Sequence, residues 1–69
     1  MEIDHNNLDA VKTSLPIGTK IRFLGLYGTI ISYTQRMDGC PWLLIVQVAK
    51  GDVFVNHEVL ICEVSQIYA

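Results

Sequence analysis

His57 and Glu58 form an adjacent histidine–carboxylate pair in the β-rich part of the chain. A histidine acts as a general base when it lies within hydrogen-bond reach of the proton it takes, and a neighbouring carboxylate can orient it. Nothing beside the pair supplies a pocket or a third group, so it reads as solvated on a helical turn. His5, Cys40, His57 and Cys62 are the histidines and cysteines. A structural zinc site takes two closely spaced ligand pairs. Only His57 and Cys62 approach that spacing, so a metal site within one chain is not expected, nor is any cofactor. Cys62, between Ile61 and Glu63, reads as a buried, inert thiol on a strand. Cys40, beside Pro41 in a loop, is the better candidate for a reactive one, without a neighbouring base or cation to lower its pKa. The carboxylates Asp38, Asp52, Glu58 and Glu63 are scattered, and no two are paired as acid and base. The "GLYG" run at 25–28 has the wrong length for a phosphate loop and opens no helix.

The aromatic residues carry more information. Phe23, Tyr27, Tyr33, Trp42, Phe54 and Tyr68 are spread along the chain. Tyr27 in a turn, Tyr33 at a strand end and Trp42 after a loop can line a groove for an extended ligand. Asn56 and His57 join Tyr27 and Tyr33 as candidate groove residues. In the competing reading Phe23 and Phe54 fill the core and Trp42 packs at a barrel end or a subunit contact.

These residues must be held by short elements. "NNLDAVKTSLP" reads as a helix: Asn6 or Asn7 caps it, Asp9 complements its dipole, and Leu8, Val11 and Leu15 make one apolar stripe. Pro16 ends it. After Pro16 the pattern is β. "TKIRF" alternates, "GTIISYTQ" is a second strand, "RMDGCP" a loop and "WLLIVQVA" a third strand. "KGD" makes a tight hairpin, "VFVN" a short strand, "HEVL" a helical turn and "ICEV" a last strand, followed by a tail. The expected organisation is an N-terminal segment with a short helix over 1–16 and a small β-barrel over 17–69. A barrel suits five short strands because closure removes exposed edges.

The chain has 69 residues, of which 51% are hydrophobic, and a net charge of −2. No basic run offers a counterion-releasing surface, so nucleic acid is not the expected partner. "MEIDHNN" lacks the charge and apolar run of a signal peptide, and no apolar run is long enough to span a bilayer. A cytoplasmic protein with free Cys40 and Cys62 and no membrane partner is expected. The stretch Trp42–Ala49 is apolar on both faces except for Gln47. A domain this small has little volume in which to hide both. Whichever of the sets Trp42/Leu44/Val46/Val48 and Leu43/Ile45 stays out of the core is expected to meet a second copy. The first set is the leading candidate for that interface.

"IGTKIRFLGLYGTIISY" resembles the opening of Src-homology-3-like barrels through Gly18-Thr19-Lys20-Ile21 and Gly28-Thr29-Ile30. The end is similar too, with one helical turn at His57 to Leu60 and a closing strand at Ile61 to Val64. The resemblance covers residues 17–64 and implies a mainly β fold: a small five-stranded Src-homology-3-like barrel preceded by a short N-terminal helix. In length and spacing the chain is also similar to the plasmid-borne type II dihydrofolate reductases, whose active site is a pore on a tetramer axis. Val53-Phe54-Val55-Asn56 stands where they carry Val-Gln-Ile-Tyr, and Phe23 or Leu24 where they carry a Lys. Gln66-Ile67-Tyr68 falls in the tail, outside the matching strand. That likeness therefore implies self-association of a tiny barrel rather than reductase chemistry.

The expected function is a non-enzymatic binding or regulatory module that self-associates and binds another protein. One alternative is an oligomer with a small-molecule or enzymatic site at the subunit interface, tested through Tyr27, Asn56 and His57. The other is nucleic-acid binding through Lys20, Arg22 and Lys50.

Overall fold

The computed structural model describes residues 3–68. Helix α1 (Leu8–Ser14) is followed by β1 (Lys20–Phe23), β2 (Leu26–Thr34), β3 (Leu43–Lys50), β4 (Val53–Leu60), a 3-10 turn (Ile61–Glu63) and β5 (Val64–Tyr68). Asn7 caps α1: its side-chain oxygen accepts from the N–H groups of Asp9 (3.0 Å) and Ala10 (3.3 Å). The two satisfy donors that a helix start otherwise leaves free. The five strands form one antiparallel sheet in the order β4-β3-β2-β1-β5. β4 and β5 are its two edges and do not pair, so the sheet is barrel-like but not closed.

Three elements differ from the sequence expectation. His57–Leu60 is not a helical turn but the second half of β4. The turn lies one step later, at Ile61–Glu63, where the Glu63 carboxylate accepts from the Leu60 N–H at 2.8 Å. The residues expected as a tail, Gln66-Ile67-Tyr68, lie within β5 and pair with Arg22, Ile21 and Lys20. The Ser65 hydroxyl adds a bond to the Arg22 carbonyl (3.0 Å), pinning β5 beside a register shift.

The inner face of the sheet and α1 share one core. Val11 and Leu15 from the helix stripe are fully buried with Ile21, Phe23, Ile30, Leu44, Val46, Val48, Val59 and Ile61. Each such side chain contributes about 1.5–3 kcal/mol by leaving water. The segment before α1 is docked rather than free: Ile3 packs on this core, and the His5 carbonyl accepts from the Trp42 N–H at 2.7 Å.

The proposed interface set is thereby relocated. Leu44, Val46 and Val48 point inward and are buried in the core, and Trp42, just before β3, is half-buried against it. Within the single chain Leu44, Val46 and Val48 therefore present no open face. Leu43, on the opposite face, is nonetheless only 5% exposed. It lines a cleft with Arg36, Cys40 and Pro41 of the β2–β3 loop, which the Gln35 side chain closes by donating to the Cys40 carbonyl (2.7 Å). The chain's own loop covers the second face of β3 at this end.

Gly28 lies inside β2. A Cβ there would run into Val46 Cγ1 and sit 2.9 Å from the Gln47 carbonyl oxygen. Its missing side chain lets β2 and β3 press together under the site described next.

Candidate sheet-face binding site

Strand register assigns the outward residues. Lys20 pairs with Thr29 and Tyr68, and Thr29 with Gln47, which pairs with Asn56. Side chains of directly opposed residues share a face. One row across the sheet is therefore Asn56, Gln47, Thr29, Lys20 and Tyr68. The row beside it holds Phe54 opposite Ala49, and Tyr27 opposite Arg22, which pairs with Gln66. The register that joins Thr29 to Gln47 sets Tyr27 level with Ala49.

This gives a cleft of about 450 Å³ lined by Lys20, Tyr27, Thr29, Gln47, Ala49, Phe54 and Tyr68. Phe54 and Tyr27 stand two strands apart, roughly 9.6 Å from backbone to backbone given the usual strand spacing. Ala49 between them is too small to fill the gap. Both rings are open to solvent, Phe54 at 67% and Tyr27 at 58%. On its other side Tyr27 is held in place: the Arg22 guanidinium lies over its ring 5.5 Å from the centroid, and the Tyr68 ring is 5.8 Å away. Partial desolvation and the neighbouring Tyr27 raise the Tyr68 hydroxyl above its ordinary value of 10.0, against a smaller opposing pull from Arg22. Tyr68 is thus neutral at physiological pH and donates to the Gln66 side-chain oxygen at 3.1 Å. The cleft lining carries one ammonium and no carboxylate.

The candidate groove residues divide between the two faces. Tyr27 lies in the cleft, and Asn56 stands on the same face beside it. Tyr33 and His57 point the other way. Tyr33 packs against the core, and its hydroxyl donates to the Leu15 carbonyl at 2.6 Å, tying β2 to the end of α1. His57 meets Phe23 edge to face, with ring centroids 5.7 Å apart. Its neighbour Glu58 projects outward to Arg36 at 3.6 Å, so the two cannot act as a pair. Phe54 is a cleft wall rather than a core residue. Phe54, Tyr68, Thr29 and Gln47 are not among the expected groove residues; of the four strands that carry the cleft, only β1 alternates clearly enough in sequence to give its outward positions.

Elsewhere, Cys40 is half-buried and Cys62, in the 3-10 turn, is exposed rather than buried; both are free thiols. Among the described residues no group of three or more His, Cys, Asp or Glu is placed to hold a metal ion. Among the same residues no helix is long and apolar enough to cross a membrane. No protein-family model matches the chain, and no curated protein or solved structure is significantly similar to it.

Proposed function

We propose that this chain is a non-enzymatic binding module of the Src-homology-3-like small-barrel kind, which takes its ligand on the outer face of the sheet. One observation carries the reading: two solvent-open rings, Phe54 and Tyr27, flank a gap floored by Ala49. Exposed rings of this size gain by being covered, and a concave, mostly apolar site with a few placed polar groups is the usual form of a binding pocket. The groups around the gap are an amide, a hydroxyl, an ammonium and phenols, a set suited to holding a ligand rather than moving protons. The strand order, with a 3-10 turn before the last strand, supports the barrel type. A ligand that binds only the native state must raise the melting temperature. The test is a panel of a proline-rich peptide, a single-stranded oligonucleotide, mononucleotides and dinucleotide cofactors. At least one should shift wild type and fail to shift Phe54→Ala. A panel that moves both proteins equally, or neither, overturns the reading.

Self-association is a second reading, favoured by the β4 edge. β4 is an eight-residue edge strand whose start, Val53 and Phe54, is exposed. Unpaired edge groups template pairing with another strand, and an edge lysine blocks it. Light scattering should give a dimer for wild type and a monomer for Val55→Lys; a monomeric wild type removes this reading.

A further inference from the structure

The outward rows of the sheet have a chemistry specific enough to name a ligand. Sequence-tolerant binding of single strands uses aromatic rings on which bases stack and cations that follow the phosphates. Phe54 and Tyr27 offer two walls across Ala49, and Arg22 reaches the Tyr27 ring from the neighbouring β1. The adjoining row presents Gln47 and Thr29 at the floor of the cleft and Asn56 beside it, amides and a hydroxyl able to reach a base edge. Lys20 and Arg22 stand on the β1 flank of the same face.

The net charge of −2 does not oppose this, because among the described residues no acid lines the cleft. Asp4 and Asp9 flank the helix start, Asp38 is in the β2–β3 loop and Glu63 is held by the Leu60 N–H. Glu58 shares the outer face but faces Arg36, and Asp52 is in the β3–β4 turn two residues after Lys50. A groove for a proline-rich peptide would be expected to carry acidic residues; this one carries cations.

We infer that the ligand of this cleft is single-stranded nucleic acid, one base stacking between Phe54 and Tyr27 while Lys20 and Arg22 face the phosphates. The inference rests on the sheet-face binding reading above. Lys20 and Arg22 together set a modest salt dependence, a slope of log K against log salt of about −1.4.

The experiment is fluorescence anisotropy with a labelled oligothymidylate of about 12 nucleotides, a length within the usual site size. Wild type should bind with that slope, and Arg22→Gln should lower the slope by about 0.7. Phe54→Ala should weaken binding about 5- to 150-fold, the range for loss of one stacking ring. Ala49→Leu, which fills the gap without removing any polar group, should weaken it comparably, and Met37→Ala in the distant loop should leave it unchanged. Circular dichroism confirms that each variant, altered at an exposed position, keeps the fold. Absence of binding, or equal binding by wild type, Phe54→Ala and Ala49→Leu, overturns the inference. Thymidine monophosphate binding as tightly as the oligomer overturns a polymer ligand. A proline-rich peptide that stabilises wild type but not Phe54→Ala, with no oligonucleotide binding, overturns nucleic acid and leaves the sheet-face reading standing. Silence from the oligonucleotide, the peptide and the rest of the panel overturns both.

Discussion

Tyr33 joins the helix to the sheet through one hydroxyl, and that bond gives stability a pH dependence. Burial raises its pKa above the ordinary 10.0, against a smaller opposing effect from the Ile17 backbone, and the hydroxyl donates to the Leu15 carbonyl. Only the neutral phenol can donate. A raised folded-state value means that the native state holds its proton longer than the unfolded chain. The contribution is therefore complete below pH 10 and lost as pH climbs through the folded pKa. Tyr33→Phe should cost about 1 kcal/mol in denaturant titrations near neutrality and lose part of the alkaline decline. An unchanged alkaline limb would show that the native state does not hold the Tyr33 proton longer than the unfolded chain. Tyr33 also shows why the expected groove residues divide between two faces. Tyr27 and Tyr33 are six residues apart, which in an unbroken strand puts them on one face. A register shift between Ile30 and Ser32 reverses the phase, so Tyr33 turns inward. Asn56 and His57, as neighbours on one strand, could never have shared a face.

At the scale of elements, β2 and β3 are joined as closely as they are because Gly28 has no side chain. Gly28→Ala would drive a Cβ into Val46 and against the Gln47 carbonyl. Relief requires the two strands to part, and overpacking of this kind costs about 1–3 kcal/mol. The expected result is a lower denaturant midpoint with an unchanged slope; a midpoint equal to wild type would mean that the strands separate freely. The helix, the Gly51-Asp52 hairpin and the alternation of β1 were all legible, because each depends on local chemistry: a cap, a glycine, a period of two. The end of β4 was not. "HEVL" carries no breaker, and the turn after it depends on Glu63 reaching back to Leu60, a contact visible only in three dimensions.

For the whole molecule, the excess of apolar residues is resolved within the chain. α1 covers the inner face and the β2–β3 loop covers Leu43, while the rings of the cleft, the start of β4 and loop residues such as Ile17, Leu24 and Met37 stay exposed. The apolar stretch from Trp42 supplies Leu44, Val46 and Val48 to the core. Net charge says little about any one face. It sums over the molecule, whereas a ligand meets one face, and the pairing that gathers Lys20, Arg22 and three rings there is non-local.

The most direct test of a single-stranded ligand on the sheet face is amide chemical-shift mapping of the wild-type protein on titration with the oligothymidylate. The account predicts perturbations confined to Lys20–Arg22, Tyr27–Thr29, Gln47–Ala49, Phe54 and Tyr68. Perturbations centred instead on the β2–β3 loop or α1, or none at saturating ligand, would contradict it.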